Sequence, residues 1–395
     1  MSAPDFLPYG RQLIEADDVA AVTAALTSDV LAHGPRVADF ERAFAERAGA
    51  GHAVAASSGT AALHLALAGL DVREGDVCIV PAITFLSTAT AALFCGAEVR
   101  FADVDPLTGL MTPETLAAAL GQGPAKAVLP VHLGGRLCDM AALAPLARAA
   151  GATLVEDASH AVGSRWADGS VAGGCAHSDA ATFSFHPVKT LACGEGGMVT
   201  TRDAAGAERM RRLRNHGVTR EPALLQDPAL SLDDAGAPNP WSYEQIELGF
   251  NYRMNELEAA LGLSQLSKLD RFIARRADIS ARYDRLLQPL APMVQPVSAA
   301  AGQQPSLHLH VVRIDFEAAG VSRAEVMRRL STRGIGSQVH YIPLYRQPYL
   351  RARYGEQRLP GAEAYYGQVL ALPLFPAMAD RDVERVAEAL QAALG

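Results

Sequence analysis

Short apolar runs alternate with alanine-rich stretches through the first half of the chain. HAVAA (52–56) precedes TAALHLALAGL, and VCIV (77–80) precedes STATAALFCGA. VRFADV (99–104) follows, AVLPVHL (127–133) precedes MAALAPLARAAG, and TLVED (153–157) closes the series. Apolar runs without internal alternation suit strands covered on both faces, so the rhythm predicts a mainly parallel sheet between helices. DAATFSFH (179–186) and GMVTT (197–201) predict two further strands, an antiparallel addition at one side of that sheet. Residues 220–242 are rich in Pro, Asp and Ala without periodicity, which predicts a long surface loop. The apolar spacing over 256–287 predicts one long amphipathic helix, opened by Asn255 and Glu258 as a capping pair. HLHVVRID (308–315), AEVMRRLSTRG (324–334), SQVHYI (337–342) and ADRDVERVAEALQAAL (379–394) predict strand, helix, strand and helix. The fold class is therefore α/β, with a large domain over 1–245 and a smaller α+β domain over 246–395 that includes the long helix.

Composition narrows the function. The chain has 395 residues, 49% hydrophobic and 20% charged, enough apolar surface for a large core. Its net charge of −8 argues against nucleic-acid and anionic-membrane partners, which need a basic face. The uncharged run 77–97 is long enough to raise a membrane span, but Pro81 breaks it into a buried strand and a buried helix. Five widely spaced cysteines, with no CxxC pair and no secretory leader, predict reduced thiols in a cytoplasmic protein.

Ligands of open α/β sheets settle beyond the carboxyl ends of the strands, so the polar residues there carry the chemistry. After HAVAA comes SSGT (57–60), leading directly into a helix. Its free N–H groups, the hydroxyls of Ser58 and Thr60, and close approach at Gly59 suit a phosphate, although the same residues describe an ordinary N-cap. Asp157 follows another strand, and Lys189 follows TFSFH. A carboxylate and an amine at two strand ends could be a plain ion pair. With an anion cradle they match pyridoxal 5′-phosphate, which needs a lysine amine, an acid at its ring nitrogen and a phosphate seat. Phe85, after a further strand, suits either a ring face or the core.

Other chemistries fit less well. GQGPAK (121–126) lacks the third glycine of a dinucleotide fingerprint and precedes a strand. His308 and His310 share a strand face but lack a third metal ligand, so no metal is expected. Ser184, His186 and Asp157 have no GxSxG elbow around the serine.

The motifs PYGRQ (8–12), HGPRVADFE (33–41), SSGTAAL, PAITFLSTATA, VEDASHAVGS (155–164), FSFHPVK, GEGGM (194–198), NHG (215–217), ELGFNYRMNELEAALGLSQL (247–266), GIGSQVHYIPLY (334–345) and LPLFPAM (372–378) run nearly end to end. In order and spacing they resemble the DegT/DnrJ/EryC1/StrS family of sugar aminotransferases. The resemblance implies a fold-type I PLP-dependent aminotransferase working as a homodimer. It implies that Lys189 binds the cofactor covalently, Asp157 meets its ring nitrogen, Phe85 stacks on the ring and His160 approaches its 3-hydroxyl. Gly59, Thr60 and Ser184 would hold the phosphate, with Asn251 reaching across from the partner subunit. His33, Arg36, His308, His340 and Tyr341 fall in segments that the resemblance places around the pocket. Arg253 could guide an anion or pair structurally. Within the family, SFHPVK, GFNYRMNELEAALGLSQL and QVHYIPLY most resemble the pseudaminic-acid-pathway branch. That branch implies transfer from L-glutamate to C4 of a UDP-linked 4-keto-6-deoxy sugar. A PLP-dependent dehydratase is the alternative on this fold, but that branch carries histidine where Lys189 stands. A non-catalytic PLP-binding regulator would want a DNA-binding module, and none is apparent.

Overall fold

The computed structural model describes residues 6–395. Seven strands form one sheet: β1 (His52–Ala56), β2 (Val77–Pro81), β3 (Glu98–Ala102), β4 (Ala127–Val128), β5 (Thr153–Asp157), β6 (Ala180–Ser184) and β7 (Gly197–Thr201). Their order is β1-β7-β6-β5-β4-β2-β3. The pairs β2–β3, β2–β4, β4–β5 and β5–β6 are parallel. Helices Gly59–Gly69, Leu86–Phe94, Pro113–Leu120 and Met140–Ala149 supply the connections that parallel strands require. The expected antiparallel addition is corrected in one respect: β6 is parallel to β5, and only β7 is reversed. The connection from β6 to β7 contains no crossover helix, so the chain returns antiparallel. β7 then lies inside the sheet, because β1 pairs along its other side.

AVLPVHL forms a ladder only at Ala127–Val128. Pro130 cannot donate to a ladder, and pairing resumes as a single bridge between Val131 and Asp157. Residues 77–97 fold as β2, a turn and helix Leu86–Phe94, and no helix among the described residues is long and apolar enough to cross a membrane. None of the five cysteines is in a disulfide.

The expected long helix is two, Glu256–Ser267 and Leu269–Leu287, meeting at Lys268. Asn255 caps the first as expected, its side chain accepting from the N–H groups of Leu257 and Glu258. At the break, Lys268 Nζ stands 2.6 Å from Asp18 Oδ1 and 2.8 Å from Asp17 Oδ1, on helix Ala16–Leu26. The first half packs on that helix and on Pro35–Ala48, and the second on the final helix, Asp380–Leu394. Two packing surfaces with different directions require a bend, and buried ion pairing fixes it at Lys268.

Residues 220–242 include only two short helical turns, Pro222–Leu224 and Pro228–Ser231. The Glu244 carboxylate pins this loop by accepting from the N–H groups of Gln226 and Asp227 and from the Ser231 hydroxyl. β8 (Val218–Thr219) and β9 (Glu244–Gln245) close its base. A second sheet, β10 (Val294–Pro296), β11 (His310–Ile314) and β12 (Val369–Leu372), is antiparallel throughout. SQVHYI, expected as a strand, pairs only at Gln338 with Ala371. The fully buried VLAL of β12 takes the place beside β11, and residues 339–342 turn away toward the large sheet.

Candidate active site

The carboxyl ends of β1, β2, β5 and β6 open on a cavity of about 590 Å³, closed opposite by His308 and residues 338–342. This volume suits a cofactor or a small substrate. Ser58, Gly59, Thr60, Phe85, Asp157, His160, Ser184, Lys189, His308, His340 and Tyr341 all line it.

At its floor, Ser58 caps helix Gly59–Gly69 by accepting from the Ala61 N–H at 3.1 Å, and the Ala62 N–H donates to the Ser58 carbonyl. The N–H groups of Gly59 and Thr60 are left without a protein partner among the described residues, at the positive end of a helix dipole. The cap therefore leaves two N–H groups free for an anion, with Ser58 holding the geometry. A Cβ at Gly59 would stand 2.6 Å from the Ser184 Cβ, so only glycine lets the helix start against the end of β6.

Asp157, at the end of β5, is 4% exposed. Its Oδ1 accepts from the Ser159 N–H and its Oδ2 from the Thr88 hydroxyl at 2.7 Å; the Thr84 hydroxyl lies 2.7 Å from that of Thr88. Because Thr88 gives its proton to the carboxylate, Thr84 donates to Thr88. The buried acid is thus oriented before any ligand arrives. Lys189 lies in the turn after β6, where desolvation pushes its ammonium down to about 8 against the pull of Asp157. No described residue hydrogen-bonds its amine.

His160 accepts from the Gly134 N–H at Nδ1, and its Nε2 lies 3.3 Å from the Tyr341 hydroxyl. Burial, with Lys189 and His340 nearby, holds its pKa well below the usual histidine value. Phe85 is 53% exposed, its ring 5.9 Å from that of Tyr341.

Four expected residues lie elsewhere. Asn251 is exposed and bridges Asn215 through its backbone. His33 and Arg253 face a separate cavity with His216, Arg220 and Tyr243, and Arg253 Nη1 donates to Asn215 Oδ1 at 2.7 Å. Arg36 is engaged by Glu256, which accepts its N–H at 3.0 Å and stands 3.7 Å from its guanidinium. On this chain Arg36 is a tie between helices. Of the paired histidines, His308 precedes β11 and lines the cavity, whereas His310 packs on Tyr283 and bonds Ser280. The residues that motif reading passed over are Tyr9, Thr84 and Thr88, and Glu195 at the rim. For the threonine relay a signal existed: two hydroxyls four apart at a helix start following a strand.

A free pair of N–H groups at a helix end, an unbonded amine of lowered pKa and an oriented buried carboxylate meet the three needs of pyridoxal 5′-phosphate in one cavity.

Comparison with known proteins agrees. The chain is 39% identical over 392 residues, 98% of its length and 96% of the relative's, to the spore coat polysaccharide biosynthesis protein SpsC of Bacillus subtilis (strain 168). It superposes with a TM-score of 0.88 at 27% identity, over 99% of each chain, on PseC of Helicobacter pylori, an aminotransferase involved in the biosynthesis of pseudoaminic acid. The structure of DesI determined in the presence of its TDP-sugar product gives a TM-score of 0.85 at 32% identity, covering 100% of this chain and 94% of that one. Residues 12–391 match the profile of the DegT/DnrJ/EryC1/StrS aminotransferase family. The chain belongs to that family, and is a pyridoxal 5′-phosphate-dependent sugar aminotransferase of the fold-type I class.

Proposed function

We propose that the protein moves an amino group from L-glutamate to C4 of a UDP-linked 4-keto-6-deoxy sugar by a ping-pong sequence, as in pseudaminic acid biosynthesis. It does so as a cytoplasmic homodimer, residues 1–245 forming the cofactor-binding domain and 246–395 the smaller one. The observation that carries the reading is the meeting of Lys189 and Asp157 over the free N–H groups of Gly59 and Thr60.

Bound pyridoxal 5′-phosphate supplies an electron sink for the carbanion left when the donor loses its α-proton. Gly59, Thr60 and Ser184 would hold the phosphate, with Ser58 fixing the helix end. Asp157 would keep the ring nitrogen protonated, Phe85 would cover the ring, and His160, its nitrogens engaged by Gly134 and Tyr341, would approach the 3-hydroxyl side. Lys189 would hold the cofactor and, as the free amine, would take up and return the α-proton of the donor. An amine whose pKa lies near 8 can both accept and return that proton close to neutrality.

Support for the dimer comes from the exposure of Asn251, with Phe85 (53%), Trp241 (71%) and Leu248 (81%) also uncovered on the single chain. In the dimer, Asn251 of the partner subunit completes the phosphate seat. The substrate contacts that the resemblance suggests at His33, Arg36 and Arg253 would then act from that interface rather than from this cavity. A second reading, a dTDP-linked sugar, is favoured by the higher identity to DesI than to PseC.

Incubation with L-glutamate should bleach the coloured holoenzyme and release 2-oxoglutarate. Offering UDP-, dTDP- and GDP-linked 4-keto-6-deoxy sugars to the bleached form, with products assigned by NMR, then identifies the acceptor. If colour persists with every amino acid, the reading is wrong.

A further inference from the structure

Two imidazoles in the cavity wall have no hydrogen-bond partner among the described residues. His308 and His340 are 4% and 5% exposed, both line the cavity, and no described residue hydrogen-bonds either ring. The Nδ1 atom of each is buried and unsatisfied. Such an atom costs stability unless a ligand or water meets the ring.

Behind His308 lies a fully buried guanidinium. Arg276 Nη1 donates to the carbonyls of His308 (3.3 Å) and Leu374 (2.8 Å), and Arg276 makes no ion pair with a described carboxylate. Burial pulls its pKa down to about 10, which leaves it a cation at neutral pH. The groups facing His308 are His160, Lys189, Arg276 and His340; Lys189 also faces His340, whose ring packs on Tyr9 and Tyr341. Burial and these neighbours keep both rings neutral, His340 at about 3 and His308 well below its ordinary value. Lys189 is the only lysine or arginine among the residues lining the cavity, beside the acids Asp157 and Glu195.

On the reading that the protein transaminates, we infer that His308 and His340, backed by the unpaired guanidinium of Arg276, seat the α-carboxylate of the amino donor. That carboxylate is attached to the carbon whose amine reacts, so in the donor half-reaction a negative charge must lie beside Lys189. In the sugar half-reaction the same place receives ring substituents, because the diphosphate hangs from C1, across the ring from C4. A neutral imidazole N–H serves both, donating to a carboxylate and then to a hydroxyl or water. An arginine in the wall would be left desolvated without its counter-ion each time the uncharged ring replaced the acid. Arg276 avoids this, since its carbonyl partners are the same in both halves and only its field reaches the ligand.

The test uses the holoenzyme and its two half-reactions. α-Methyl-L-glutamate has no α-proton to lose, so its binding is read as an absorbance shift without turnover. His308→Phe should weaken that binding, and raise the L-glutamate concentration needed for bleaching, by about tenfold or more. The concentration of keto sugar needed to restore colour should change much less. His308→Gln, which keeps an N–H donor, should recover part of the loss. His340→Leu provides the same comparison where His308→Phe fails to fold. Unchanged binding of α-methyl-L-glutamate with a raised sugar requirement would overturn the inference and assign the pair to the sugar. A native holoenzyme that no amino acid bleaches would instead overturn the transamination reading itself.

Discussion

The backbone N–H of Gly134 donates to Nδ1 of His160 at 3.2 Å. An imidazole that accepts at Nδ1 carries its proton on Nε2. Nε2 faces the Tyr341 hydroxyl at 3.3 Å, so Tyr341 accepts from His160 and keeps its own proton for the cavity. Burial raises the Tyr341 pKa, with Asp157 and Tyr9 adding to it, which makes the hydroxyl a lasting donor rather than an anion. Tyr341→Phe should slow the half-reaction with L-glutamate about tenfold or more while the protein stays coloured. Stopped-flow absorbance separates that outcome from a loss of cofactor.

Lys189 should reveal its lowered pKa when cofactor-free protein is loaded. Only the uncharged amine attacks an aldehyde, and desolvation has brought its titration to about 8. The rate of colour formation with pyridoxal 5′-phosphate should therefore climb with pH and level off just above 8. A solvent-exposed lysine would continue to gain up to about pH 10. Lys189→Ala should remove colour and turnover together.

Gly59→Ala tests the close approach on which the anion seat depends. The new methyl would sit 2.6 Å from the Ser184 Cβ, forcing helix Gly59–Gly69 away from the end of β6. A cost of about 1–3 kcal/mol in unfolding free energy is expected. Affinity for pyridoxal 5′-phosphate should fall as well, measured by equilibrium dialysis. A variant with native stability and native affinity would show that the seat tolerates displacement.

Lys268→Met removes the cation from the junction of the two helices. Asp18 is fully buried there, and breaking a buried pair by removing one partner costs about 3–5 kcal/mol. Burial raises the Asp18 pKa, but Lys268, Ser264 and the Glu15 N–H outweigh it and the net shift is downward. A carboxylate lowered on folding stabilises the native state above its unfolded pKa, about 3.9, and ceases to do so as pH falls through its lower folded value. The difference between native and variant should thus be steady near neutrality and shrink in acid below about pH 4, as read by urea unfolding at a series of pH values.

The strand ends were the legible part of this molecule. Asp157 and Lys189 sit where apolar runs stop, and SSGT announces a helix start, so local pattern alone brings them to one edge of the sheet. Where partners are distant in sequence, pattern is silent. Arg36 looks like a free surface cation until Glu256 is seen beside it, and Lys268 fits the polar face of a continuous helix until Asp18 is found opposite. SQVHYI reads as a strand, yet it pairs only at Gln338, and residues 338–342 instead wall the cavity, with Val339 and Tyr341 also packed against the core. Periodicity reports which residues are covered and not what covers them.

The position of β1 in the sheet has a consequence for the order of assembly. Among the described residues its only neighbour there is β7, which leaves the ribosome long after it. The carbonyl of Ser58 also lies so close to Gly197 that a Cβ there would be 2.2 Å away, so the Ser58–Thr60 turn is completed against a backbone that does not yet exist when the turn itself emerges. Until then β1 is an unpaired edge, and a nascent chain stalled before Gly197 would expose it to other chains. The Ser58–Thr60 turn therefore takes its final form only after Gly197 has been made and β1 has paired with β7.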